Sequence, residues 1–340
     1  GWANPEGDAF YARQRKRADE SAANLKTQQF FFGMMIAIGG QMFDATGILD
    51  SFVPKNRPLE VLDLCMAPGG FSAATLKKVP RAKISGISLP ESLGGHKLLV
   101  QSGAQDRRVE VQFHDVTMLY KEFGVIDMVQ SIPPSHPWIS DFSGVQPYAD
   151  RTFDLAFCDG QKLRTHTRPD WGQHGHEAIR LSSAQLVFAL SRLKPGGILI
   201  MLLHRIDKWA TTKLMYTFSK FTDPGGLQLF KPVKSHASRG SFYLVARGVR
   251  TDSPEAAEAI EAWKQTWLDA TLAVCDKPGE NSGDDNSGGK DDGETWTQGD
   301  DDECEDVRHV IDVFGERLVE LGTPIWKIQA NSLAKASYTQ

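Results

Sequence analysis

The feature that most limits how this chain can fold is an alternation of short apolar runs with helical stretches. Strands are expected over residues 59–64, 82–88, 109–113, 153–158, 198–203 and 241–246. Helices are expected between them over 71–78, 96–102, 182–193 and 208–221. Strands separated by helices of this length imply a mostly parallel sheet buried between helical layers. The fold class is therefore α/β. The turn Lys194-Pro195-Gly196-Gly197 closes one of these helices and opens the most apolar strand.

Other segments flank or interrupt this core. Residues 8–32 read as a helix carrying a basic cluster, Arg13, Arg15, Lys16 and Arg17, and residues 33–49 as a second helix. The cluster is either a solvated face or a contact for an RNA backbone. Residues 129–148, rich in proline, serine and aromatics, read as an inserted surface loop. Past Arg250 a helix is expected over 254–274, then an acidic segment, 276–305, too poor in apolar residues to order itself. The spacing of Val307, Val310, Ile311, Phe314, Leu318 and Leu321 predicts a last amphipathic helix that must dock somewhere. The resulting division is a helical extension (1–53), an α/β domain (54–250), a second helical extension (251–275), the acidic linker (276–305) and a terminal helix and tail (306–340).

Composition excludes several classes. No apolar run in the 340 residues reaches the ~18 expected of a membrane span. A net charge of −5 argues against a protein that coats nucleic acid non-specifically, though local patches matter more than the sum. Cys65, Cys158, Cys275 and Cys304 form no C-x-x-C pair, as expected of reduced thiols in an intracellular protein, cytoplasmic or nuclear, with no metal site. The chain opens on Gly1 rather than methionine, as a processed fragment would.

The string Val61-Leu62-Asp63-Leu64-Cys65-Met66-Ala67-Pro68-Gly69-Gly70-Phe71 carries the most information. Its glycines let the backbone turn sharply from strand to helix and approach a ligand closely. It lacks both the dinucleotide spacing G-x-G-x-x-G and a P-loop. Asp-Leu-x-x-Ala-Pro-Gly-Gly-Phe resembles the signature of the FtsJ/RrmJ-type methyltransferases, and the resemblance spans residues 59–248. It implies a Rossmann-like methyltransferase fold with a seven-stranded-type, mostly parallel sheet, S-adenosylmethionine as cofactor and RNA as substrate. It also implies that Asp63, Cys65, Ala67, Pro68, Gly69, Gly70 and Phe71 line the methionine end of the pocket. Asp115, ending the third strand, would meet the adenine or else cap the following turn. Ser88 and Leu89 stand where the family commonly has an acid for the ribose hydroxyls, and a serine hydroxyl can still bond a ribose.

The family's catalytic Lys-Asp-Lys-Glu tetrad carries over only in part. Asp159 matches its aspartate and also borders the cofactor; Leu202 stands at the second lysine and Ser241 at the glutamate. The first lysine has no clear counterpart, Lys26 lying too far upstream. His204 and Arg205 follow Leu202, and His204 is either a base near neutral pH or an ordinary strand-end residue. Lys162, Arg164, His166, Arg168, Asp170, Trp171, His174 and His176 make a polar loop that suits phosphate contact and base stacking, or is simply exposed; a metal has no helical His-x-x-x-His pair to hold it. Lys231, Lys234, His236, Ser238 and Arg239 form a second cationic stretch, with Arg239 closest to the family's substrate-side loop. RNA is the expected partner, with a protein partner for the terminal helix and no membrane. A relative that binds cofactor or RNA without catalysis, or one that methylates another acceptor, is the alternative.

Overall fold

The computed structural model describes residues 4–19, 25–50, 52–162, 176–273 and 303–336. A sheet of seven strands runs β3-β2-β1-β4-β5-β7-β6. Its strands are β1 (Glu60–Leu64), β2 (Lys83–Ser88), β3 (Val109–Phe113), β4 (Phe153–Cys158), β5 (Leu193–His204), β6 (Leu227–Phe230) and β7 (Ser241–Val249). All pairings are parallel except those of β7, which runs antiparallel to both β5 and β6. The helices are α1 (Pro5–Asp19), α2 (Leu25–Thr46), α3 (Gly70–Lys78), the single turn α4 (Met128–Ser131), α5 (His176–Arg192), α6 (Trp209–Phe221), α7 (Pro254–Leu272) and α8 (Glu303–Leu333).

Strand residues alternate between the two faces, and each face has its own core. Val61, Leu155 and Phe157 pack with Ile38, Met42 and Phe43 of α2 and Phe71 of α3. Leu62, Ala156 and Cys158 pack on the other face with α5, α6, α7 and α8. Sequential strands diverge from the middle, β1 leading to β2 on one side and β4 to β5 on the other. The carboxyl ends of β1 and β4 therefore border a crevice, where open α/β sheets bind ligands.

Several expected elements are corrected. Residues 25–46 form one helix across Gly33, because a single glycine costs only ~1 kcal/mol and the following turns bury Ile38, Met42 and Phe43. No helix forms over 96–102; instead the Leu99 and Val100 N–H groups donate to the Pro68 carbonyl at 3.0 and 3.2 Å, drawing that segment over the glycine turn. The short strand β6 adds to the expected set, and β5 begins five residues early, with the Pro195–Gly197 turn absorbed as an irregularity in its pairing with β4. Most plainly, residues 129–148 are no surface loop. Ile132, His136, Trp138, Phe142 and Tyr148 are buried, and the Tyr148 hydroxyl donates to the Gly86 carbonyl at 3.1 Å.

These aromatics meet α7. Ser253 caps that helix, accepting from the Ala256 N–H at 3.2 Å, with Pro254 following in the first turn. The Trp267 ring is fully buried, stacks on Phe123 at 3.9 Å, and donates its indole N–H to the Thr117 carbonyl at 2.9 Å. A Trp267→Ala variant is expected to lose ~3–5 kcal/mol in urea unfolding, chiefly through the cavity it leaves. A loss below ~1 kcal/mol would show α7 to be a dispensable appendage.

The acidic segment 276–305 lies almost wholly outside the described residues, while the terminal helix is α8. Its Val310, Phe314, Leu321 and Ile325 are buried, Phe314 sits 5.8 Å from Tyr216 of α6, and Arg317 donates to the Leu227 carbonyl of β6 at 3.0 Å. Among the described residues no helix is long and apolar enough to cross a membrane, and no cluster of His, Cys, Asp and Glu could hold a metal.

Candidate active site

The crevice is built around the turn after β1. Cys65 adopts a left-handed backbone (φ 60°), unusual for a residue with a Cβ, and the Ala67–Pro68 peptide is cis. The turn is stitched to the end of β2: the Met66 N–H donates to the Ile87 carbonyl at 3.0 Å and the Ala67 N–H to the Ser88 hydroxyl at 3.2 Å. Gly69 has φ 94°, and a Cβ there would collide with the Val100 side chain, so only glycine admits both the turn and its cover. Phe71 is taken up by the core, stacked on Phe157 at 5.4 Å, so it props the corner from beneath. Leu89 lies half-buried just past Ser88.

Carboxylates dominate the crevice. Asp63 is buried and accepts from the Ser72 hydroxyl at 2.5 Å; burial pushes its pKa up to about 7, and the Ser72 bonds only partly offset this. Asp159, just past β4, is held well above the usual carboxylate range by burial and by the charge of Asp63, while a hydrogen bond from Tyr243 opposes the shift. Its Oδ1 is buried with no hydrogen-bond partner among the described residues. Asp115 caps the short turn after β3, accepting from the Thr117 N–H at 3.0 Å. The Cys65 thiol is pushed up first by burial and then by the charges of Asp115, Asp63 and Asp159. Acids from the ends of three strands thus converge on one point.

Unpaired buried acceptors are costly, so this arrangement calls for a cationic or donor-rich ligand. S-adenosylmethionine, with its sulfonium and α-ammonium charges, fits that field. The backbone beside Asp159 is rigid: the Gly160 N–H donates to Gln185 Oε1 at 2.7 Å, and Gln185 Nε2 donates back to the Gly160 carbonyl at 3.2 Å. Sequence reasoning missed Gln185, although one polar residue inside the apolar run Ala184–Phe188 was a signal.

A second group of titratable side chains lies past the ends of β5 and β6. Lys231, buried at the end of β6, donates to the carbonyls of Arg239 and Ser241 at 2.5 and 2.7 Å, so its ammonium pins the loop before β7; burial lowers its pKa to about 8. His236 in that loop is pushed down to about 4, by burial and then by the charges of Arg239, Lys231 and His204. His204 Nε2 lies 2.9 Å from Gln161 Oε1, which ties the end of β5 to the chain after Asp159. Leu202 and Ser241 pair with Tyr243 and His204 across β5 and β7. Lys162 is half-buried beside Gln161, and Arg239 is half-buried in its loop. Lys26 is exposed near the start of α2, whereas Gly70 meets that helix at Phe32–Ile36, more than a turn further on. Arg164 and Trp171 lie outside the described residues, as does the rest of the polar loop up to 175.

No curated protein matches the chain. Solved structures with some likeness include one described as a ribosomal RNA methyltransferase from Plasmodium falciparum, 13% identical, covering 62% of this chain and 97% of that one with a TM-score of 0.37. Human methyltransferase-like protein 13, solved with SAH, is 15% identical over 75% of this chain and 96% of its own, with a TM-score of 0.35. TrmN from Thermus thermophilus is 15% identical over 60% and 48%, with a TM-score of 0.31. Likeness at this level adds nothing to the strand order. The family model for FtsJ-like methyltransferases, by contrast, matches residues 41–249, from the last turns of α2 through all seven strands. With the glycine turn and the converging acids inside that span, the chain belongs to the FtsJ-like methyltransferase family.

Proposed function

We propose that this chain transfers a methyl group from S-adenosylmethionine to a ribose 2′-hydroxyl of RNA. The observation that carries the reading is the convergence of Asp63, Asp115 and Asp159 around Cys65, an acidic pocket for a cationic donor. The Lys231 ammonium and the Arg239 guanidinium, with the imidazoles of His204 and His236 beside them, supply a complementary face for an anionic substrate. When bound, the cofactor supplies an electrophilic methyl on a sulfonium that leaves as a neutral thioether. Transfer would make the oxygen–methyl bond as the sulfur–methyl bond broke, so this chain's residues would have to align the hydroxyl and take up its proton.

Asp63, Ser88 and Asp115 would hold the donor, and Asp159 would border both donor and acceptor. Where the family's tetrad has lysine and glutamate, this chain has Leu202 and Ser241. Leucine can neither accept a proton nor steady an alkoxide. The rate then rests on in-line alignment, worth several kcal/mol by itself, with His204 as the nearest titratable residue along β5. An oxygen of Gln161 accepting from Nε2 places the lone pair of the neutral ring on Nδ1.

The test is transfer of labelled methyl from S-adenosylmethionine to a mixed RNA pool, with DNA of matching sequences alongside. Label should enter RNA and be absent from DNA, which lacks the acceptor. Leu202 and Ser241 favour a second reading, a relative that binds donor and RNA without chemistry. Binding of both with no label in any acceptor establishes that reading, and label in DNA overturns the ribose assignment.

A further inference from the structure

A cavity of about 400 Å³ opens where α8 crosses the end of the sheet. Arg205 and Asp207 of the β5–α6 connection, Gly240 and Phe242 at the start of β7, and Trp326 and Gln329 of α8 are among its lining residues. The matched family span ends at residue 249, so the α8 wall lies outside it.

The walls have defined positions. Arg205 is held in a left-handed backbone (φ 51°), its N–H donating to the Gly240 carbonyl at 3.0 Å. Such backbone strain concentrates at functional sites. The Arg205 guanidinium donates to both carboxylate oxygens of Asp207, at 2.6 to 3.2 Å, so a charged pair stands at the rim. The Trp326 indole lies over Gly322, one turn back on α8; a Cβ there would sit 3.1 Å from the ring. That contact sets the ring in place, yet the residue remains 40% exposed. An apolar slot with a fixed indole, an arginine and two hydrogen-bonding side chains suits a flat heteroaromatic ring carrying polar edges.

Position decides which ring. Arg205 follows His204 directly and lies three residues beyond Leu202, about 10 Å along an extended strand. Gly240 separates Arg239 from Ser241. The cavity therefore adjoins the stretch that carries His204 and Arg239.

We infer that it binds a nucleobase of the RNA flanking the acceptor nucleotide, stacked on Trp326; this rests on the RNA reading above. Base stacking on an aromatic side chain corresponds to a roughly 5- to 150-fold change in affinity.

The experiment uses the full chain and a short fluorescein-labelled oligoribonucleotide, read by anisotropy, with calorimetry of S-adenosylhomocysteine as a separate reading of the cofactor pocket. Trp326→Ala should weaken RNA binding about tenfold or more and leave the calorimetry unchanged. Trp326→Phe should recover most of the loss. Ala330→Trp, at an exposed position lining the cavity, should fill it and weaken RNA binding likewise. Wild-type RNA binding that none of these variants alters overturns the cavity assignment and spares the RNA reading. A wild-type protein that binds cofactor but no RNA overturns both.

Discussion

Replacing Asp63 by asparagine should make the ligand-free protein more stable at pH 8, by up to ~4 kcal/mol, while weakening cofactor binding tenfold to a hundredfold. The first half follows from linkage. The unfolded carboxyl titrates near its ordinary 3.8, whereas burial raises the folded group to about 7. Between those values the native state holds a proton that the unfolded chain has released. Stability therefore falls as pH rises through the window, and above pH 7 the whole cost is in force. The asparagine would keep the shape and still accept from Ser72, but would carry no charge to desolvate. The gain should shrink towards zero near pH 4, as the unfolded wild-type chain takes up the proton too. The second half follows because charge-assisted hydrogen bonds are worth more than neutral ones, ~1.5–3 kcal/mol each. Thermal unfolding from pH 4 to 8 reads the first effect. A variant less stable than wild type at pH 8 would contradict it.

Asp159→Asn should cut single-turnover methyl transfer by about 10²–10³-fold, the usual cost of removing one preorganised polar group from a reacting centre. The amide oxygen would still accept from Tyr243 and sit beside the Gly160 peptide that Gln185 clamps, so the backbone should not move. Cofactor affinity should change much less than the rate, which separates a residue facing the reaction from one that only holds the donor. An unchanged rate would mean that the buried Oδ1 faces nothing that reacts.

The sheet and the sharp turn after β1 were legible because the physics there is local. An apolar run ending in Ala-Pro-Gly-Gly must turn sharply, and Asp159 at the end of Phe153–Cys158 must lie at the same edge as Asp63. What stayed hidden depends on distant partners. Leu98, Leu99 and Val100 look helical in isolation, but the Pro68 carbonyl and the open flank of Gly69 claim them. The polar composition of residues 129–148 conceals Trp138 and Phe142, which are covered by Arg180 of α5 and Trp267 of α7, far along the chain. Lys231 reads as a loop charge, yet it is buried because the turning chain presents it with backbone carbonyls. Strand β6 is four residues long with only its ends buried, too short for a periodicity to register.

The most direct test is calorimetric titration of wild-type protein and the Asp63→Asn variant with S-adenosylhomocysteine at pH 8. Saturable one-site binding by the wild type, weakened at least tenfold in a variant that melts higher, is the predicted result. No heat with the wild type, or equal affinity in the two proteins, would contradict a pocket built from converging carboxylates.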